Sequence, residues 1–239
     1  MSPPVDLSTG GVPRISAGAR SRWPAGRRTA AAGISRRALF LGLAAAPFAA
    51  EARETLRLPS ELANRIEKLP GLVTLGNAKG DVTLYEFFDY NCPYCRNSAR
   101  DILPLIKSDP GLRYVLVNYA VLGAPSIEAA RVALAVRRLK PPAYLAFHLA
   151  LFERRGQLGG ARALEAAAAQ GLAEKAILAE ANQRRVTDAM IQAAKLGEAL
   201  GIVATPSYVT GVEALLGFVP LEEKQAMAAN MRKCERASC

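Results

Sequence analysis

Val82-Thr83-Leu84-Tyr85-Glu86-Phe87-Phe88-Asp89-Tyr90-Asn91-Cys92-Pro93-Tyr94-Cys95 packs a strand signal and a helix start into fourteen residues. Val82 to Phe88 is a β-branched and aromatic run, bounded by Lys79-Gly80-Asp81 before it and Asn91 after it, which predicts a buried strand. Pro93 suits the first turn of a helix, where its missing N–H is not needed, so the spacing predicts a helix from there to about Lys107. Pro104 inside that helix is expected to kink it. Asp109-Pro110-Gly111 makes a turn, and Leu112 to Tyr119 reads as a second strand. Strand, helix and strand with short connections form a βαβ unit, whose strands run parallel.

The two cysteines sit where this unit can use them. Cys92 falls at the N-cap, where unpaired N–H groups and the helix dipole favour an anion. A thiolate there ionises below its ordinary value of about 8.5. Cys95, three residues on, shares its helical face and is set back toward the core. An exposed, acidified nucleophile beside a recessed second thiol is what thiol–disulfide exchange requires. Half of a zinc site is the competing reading, but no second pair of suitable spacing exists: Cys234 and Cys239 lie at the chain end and His148 is the single histidine. A purely structural bridge is odd at so tight a spacing, and haem attachment needs a histidine where Arg96 stands. No metal or cofactor is called for.

Upstream, residues 53–72 are polar with scattered leucines and are read as one short helical segment ended by Pro70-Gly71. Downstream of Tyr119 come roughly seventy-five residues with helical signals alone, about 126–201, starting at Ser126 after Pro125. Ser207 to Thr210, Gly211 and Glu213 to Leu216 read as a hairpin, followed by a helix from Pro220 to about Met231 and a tail over 233–239. The fold class is therefore α/β: a thioredoxin fold with a helical insertion between its second and third core strands. Pro206, at the start of a strand, cannot donate to the ladder, and in that fold it is expected to be cis and to face the cysteines.

These features resemble the DsbA family of exported thiol:disulfide oxidoreductases. The resemblance is carried by Glu86 through Cys95, the helical insertion, Thr205-Pro206-Ser207 and Gly217-Phe218-Val219-Pro220. It implies Cys92 as the attacking cysteine and Cys95 as the resolving one, with Pro206 docking the substrate. Thr205, Pro93 and Tyr94 are expected to contact substrate beside it. The partners it implies are cysteine-containing exported proteins and a quinone-linked membrane protein that reoxidises the pair. Glu86 shares a strand face with Leu84 and Phe88, so burial is expected to raise its pKa. Six residues before Cys92, it matches the buried acid that moves the resolving cysteine's proton in such enzymes. Asp89 is expected to be a solvated or capping acid, and His148 a helix-packing residue.

Direction is less one-sided. Tyr94 stands where strongly oxidising members of that family carry a histidine, and Thr205 is more like the isomerase and reductase branches. No room exists in 53–72 for a separate dimerisation domain, so an oxidase of moderate potential is the first reading, with an isomerase or reductase second. A non-catalytic copper-handling protein or chaperone is a third. Its soft ligands are missing, since Met190, Met227 and Met231 are scattered.

The remaining features concern location. Residues 1–52 hold a Pro-, Gly-, Ala- and Arg-rich stretch and then Ser35-Arg36-Arg37-Ala38-Leu39-Phe40-Leu41, leading into a short apolar run. That run is shorter than the roughly 20 residues a membrane span needs. It reads as a cleavable export signal, twin-arginine-like or Sec, and places the remainder in the periplasm. The net charge of +10 first suggests a polyanion, but residues 1–52 hold seven of the arginines and only two acids. The 24 basic and 19 acidic residues that remain give no case for nucleic acid. Cys234 and Cys239 are open between a small terminal disulfide and free thiols.

Overall fold

The computed structural model describes residues 55–239; the expected export signal lies outside them. Strand β3 (Val82–Phe88) leads into helix α2 (Pro93–Ser108) and strand β4 (Leu112–Asn118). β3 and β4 pair in parallel, Glu86 opposite Leu116. The hairpin of β5 (Ser207–Thr210) and β6 (Glu213–Leu216) adds antiparallel on the other side of β3, with Glu86 opposite Tyr208.

Two strands were not anticipated. β1 (Thr55–Arg57) pairs with β6, and β2 (Val73–Gly76) pairs with β4, which extends the sheet to six strands in the order β1-β6-β5-β3-β4-β2. Residues 53–72 are therefore not one helical segment: they hold β1 and then α1 (Ser60–Ile66). Edge strands of three and four residues are too short to show an alternation, and their pairing partners lie far away in sequence.

Helices α3 (Ala124–Leu139), α4 (Tyr144–Glu153), α5 (Gly160–Ala168), α6 (Glu174–Ala181) and α7 (Arg184–Ala199) occupy the stretch between β4 and β5, and α8 (Leu221–Cys234) follows the hairpin. The sheet is covered on both faces, so β3 buries alternate residues into two cores. Leu84 and Phe88 pack with Ile102 of α2, Phe147 of α4 and Met227 of α8. Phe87 packs on the opposite face with Ile66 of α1 and Leu196 of α7. Close approach of α7 depends on Gly197, where a Cβ would stand 2.4 Å from the Tyr119 ring. α2 continues through Pro104 to Ser108. α8 runs past Met231 to Cys234 and ends on Glu235 in the left-handed conformation. Cys234 and Cys239 are joined in a disulfide, which closes the tail over buried Ala237.

Candidate active site

The site forms where the end of β3, the start of α2 and the loop before β5 meet. Cys92 is the N-cap of α2 in extended conformation, with Pro93 in the first turn. Cys92 and Cys95 are both free thiols. Cys95 is buried at 1% exposure, as a recessed partner should be. Cys92 departs from expectation: it is only 5% exposed, sheltered rather than open. The shelter is the Thr205–Pro206 segment, whose peptide bond is cis. The Thr205 carbonyl accepts the Cys92 thiol proton at 3.0 Å.

The electrostatics separate the two sulfurs. A hydrogen bond from the Cys95 thiol lowers the Cys92 pKa from 9.0 to about 6 against the cost of burial, helped by the Thr205 side chain and the N–H groups of Cys95 and Tyr94. The helix N-terminus therefore contributes, but the neighbouring thiol does more. Cys95 is pushed the other way, first by burial, then by its bond to Cys92 and the nearby Glu86. Two thiols one helical turn apart thus differ in which is the anion near neutral pH.

Glu86 is 2% exposed and accepts a hydrogen bond from the Tyr114 hydroxyl. Burial raises its pKa, while Lys224, Tyr114 and Ser98 oppose the rise. The polar groups around it escape a linear reading. Tyr114 is on β4, Ser98 and Asp101 on α2, Tyr208 on β5 and Lys224 on α8. The Ser98 hydroxyl lies 2.7 Å from the Tyr208 hydroxyl, and Lys224 Nζ donates to Ser98 Oγ at 3.0 Å.

Asp89 is buried at 1%, not solvated. Its carboxylate accepts the N–H groups of Asn91 at 2.7 Å, Val121 at 2.8 Å and Leu122 at 2.9 Å, tying the loop after β4 to the loop before Cys92. Its own N–H points to Cys95 Sγ at 3.5 Å. Asn91, which the linear reading gave only as a boundary of the strand, clamps the same loop to the insertion through both main-chain groups of Leu158 and the Ser126 hydroxyl. His148 is buried against Phe88 and Phe152, with Nδ1 3.1 Å from the Tyr90 hydroxyl. Burial lowers its pKa to about 3, so it stays neutral and serves packing. Tyr94 is 60% exposed and Pro93 is exposed beside it, while Pro206 is buried and Thr205 half-buried. The terminal cysteines are bonded to each other and so are not ligands. Among the described residues no cluster of three or more His, Cys, Asp and Glu forms a metal cage.

A buried dithiol at a helix start, facing a cis Thr205–Pro206 bond across a mixed sheet, finds its match in known proteins. The family model described as Thioredoxin matches residues 68–216. The chain belongs to the thioredoxin family. Within it, the chain is 36% identical to a thioredoxin-like oxidoreductase from Silicibacter pomeroyi DSS-3, whose crystal structure superposes with a TM-score of 0.66 over 73% of this chain and 98% of that one. The thiol-disulfide exchange protein alpha-DsbA2 from Wolbachia pipientis shares the fold at 23% identity and a TM-score of 0.66, over 72% of this chain and 94% of that one. Disulfide bond formation protein D of Bacillus subtilis (strain 168) is 33% identical over 90 residues, which cover 36% of this chain and 40% of that protein.

Proposed function

We propose that this thioredoxin-family chain is a DsbA-type thiol:disulfide oxidoreductase that forms disulfides in exported proteins. The observation carrying the reading is the split between Cys92, ionising at about 6, and Cys95, held protonated by burial. In the oxidised form a substrate thiolate attacks Cys92 Sγ, the Cys92–Cys95 bond breaks, and Cys95 leaves with the electron pair. Glu86, whose pKa burial raises, supplies the proton that Cys95 takes up. A second substrate thiolate then attacks the substrate sulfur of the mixed disulfide and releases Cys92 as a stabilised thiolate. The pair is returned to the disulfide by a membrane partner that passes the two electrons to a quinone.

Pro206 and Thr205 border Cys92 and form the edge on which an extended peptide docks, with Pro93 and Tyr94 on the opposite rim. Direction follows from the balance at Cys92. Thiolate stabilisation favours the reduced protein and hence oxidation of substrates. The Thr205 carbonyl, which favours the protonated thiol, and the absence of a cation at Tyr94 moderate it. Residues 73–232 form the catalytic domain, and the basic flank and apolar run within 1–52 direct it to the periplasm. Equilibrating the protein with glutathione and titrating its thiols tests the direction: a potential well below that of the oxidising compartment overturns the oxidase reading in favour of a reductase. Cys92→Ser must abolish oxidation of a reduced, unfolded substrate; retained turnover, or unchanged client binding as the only activity, overturns the enzyme reading.

A further inference from the structure

Away from the dithiol, a groove of about 100 Å³ opens where the Pro70-Gly71 turn faces helices α3 and α7. Leu134, Val186 and Ala189 form its apolar wall. Gly71 makes a close lip at φ +87°, where a Cβ would stand 2.8 Å from Leu134 Cδ2. The charged lining is Arg137 and Arg138 of α3, Glu180 of α6 and Arg185 of α7: three guanidiniums to one carboxylate. Glu180 is buried and already serves two of them. Arg185 grips it through Nε at 2.9 Å and through Nη2, and Arg138 Nε stands 3.5 Å from it. Arg137 is half-buried, and its Nε donates to the Leu72 carbonyl. Among the described residues no carboxylate pairs with Arg137, and four of its five N–H donors are left over. Burial lowers its pKa, and the neighbouring Arg138 adds to the fall, as for a cation short of negative charge.

We propose that this groove is an anion site, matched to the dianionic phosphate group of a phosphomonoester. Three arginines less one glutamate leave its charged lining at a formal +2. A phosphomonoester above its second ionisation, at about 6, carries nearly two negative charges and cancels that excess, where a carboxylate or sulfonate would cancel half. Guanidinium forks fit phosphate oxygens two at a time. Arg137 and Arg138 keep their fork ends for such a ligand, because each directs its Nε to the protein, at Leu72 and Glu180. Glu180, neutralised by Arg185, serves to hold the guanidiniums in place. The groove is well below the roughly 300–1,000 Å³ of sites for drug-sized ligands, so a phosphate and a short apolar stub against Leu134, Val186 and Ala189 fill it. A soluble ester and a phosphatidic acid headgroup both offer that chemistry. None of the residues lining the groove belongs to the dithiol site.

The test has two arms. In the first, butyl phosphate is titrated into the protein at neutral to mildly alkaline pH and followed by amide NMR shifts. Saturable shifts centred on Gly71, Val186 and Ala189 are expected, and Arg137→Gln and Arg138→Gln should each weaken binding about tenfold or more, since each removes a hydrogen bond between charged groups. Butyl sulfonate, with one negative charge, should bind correspondingly more weakly. In the second arm, the protein is sedimented with phosphatidylcholine vesicles that do or do not contain phosphatidic acid. Binding in this arm alone, lost in both variants, makes the source a lipid headgroup; binding of butyl phosphate alone makes it a soluble ester. No saturable binding in either arm overturns the proposal, and so does binding that survives both substitutions or that butyl sulfonate equals. Should Arg137→Gln not fold, the exposed Arg138 decides through its own variant. Both variants should oxidise a reduced substrate at the wild-type rate, so a failure here leaves the dithiol reading standing.

Discussion

The Thr205 carbonyl oxygen stands 3.0 Å from Cys92 Sγ, joining residues 113 apart in sequence. Thr205 acts on that sulfur in two senses: its carbonyl favours the thiol, and its side chain stabilises the thiolate. Thr205→Val keeps the carbonyl and deletes the hydroxyl. The midpoint of Cys92 alkylation by iodoacetamide, read against pH, is expected to rise. An unchanged midpoint shows that the hydroxyl contributes nothing.

Cys95 is the larger influence on Cys92, so Cys95→Ala is expected to raise the same midpoint further than Thr205→Val does. Cys95→Ser, which keeps a donor, should fall between Cys95→Ala and the wild type. A midpoint in Cys95→Ala that stays near 6 would refute this ordering.

The same ionisation makes the reduced protein's stability depend on pH. The folded value of about 6 lies below the ordinary 9.0, so between them the unfolded chain binds more protons. Stability from this source is complete above about pH 9, shrinks across the window and is lost as pH falls through about 6. Urea melts of the reduced protein at pH 5.5 and 8.5, set beside Cys92→Ser, measure it: the wild type should gain relative to the variant at the higher pH.

His148 makes a second, separate window. Its folded value near 3 is below the ordinary 6.5, so the unfolded chain takes up a proton that the folded one refuses. Stability should fall as pH drops from about 6.5 toward 3. His148→Phe, which keeps an aromatic among Phe88, Tyr90 and Phe152, should flatten that decline in acid denaturation curves.

Asp89 is the acid on which the site's two loops hang. Asp89→Ala leaves three N–H groups without their acceptor, and with hydrogen bonds to charged groups worth about 1.5–3 kcal/mol each, a loss of roughly 3 kcal/mol or more is expected. Denaturant melts report the loss, and hydrogen exchange should speed at Asn91, Val121 and Leu122 specifically.

The terminal bridge is structural in this arrangement. It ties α8 to a tail whose Ala237 N–H donates to buried Glu213 at 2.6 Å. The closed loop is short, so replacing both Cys234 and Cys239 by Ser should cost only about 2 kcal/mol, with the potential of the Cys92–Cys95 pair unchanged.

Cys92, Pro93 and Cys95 announce themselves locally. A strand signal ending at Phe88 and a proline at the first helical turn place two thiols on one turn, and the periodicity of Val82 to Phe88 buries Glu86. Those inferences use neighbours within a few residues, where chain geometry limits the outcome to few choices. Edge strands β1 and β2 escaped because three or four residues carry no period of their own; their conformation comes from pairing with β6 and β4.

What the chain of residues determined unaided is the chemistry: a thiol pair at a helix start, an acid behind it and a proline ahead of a hairpin strand. Tertiary structure alone decided how that chemistry is poised. It brought Thr205 onto Cys92, closing over a sulfur expected to be open, sank Asp89 beneath two loops, and set Lys224 of the last helix against Ser98 and Asp101 of α2. None of these pairings has a spacing that a linear reading can register, because contacts between distant segments follow from how apolar faces pack, and the polar groups carried along must find partners wherever that packing leaves them.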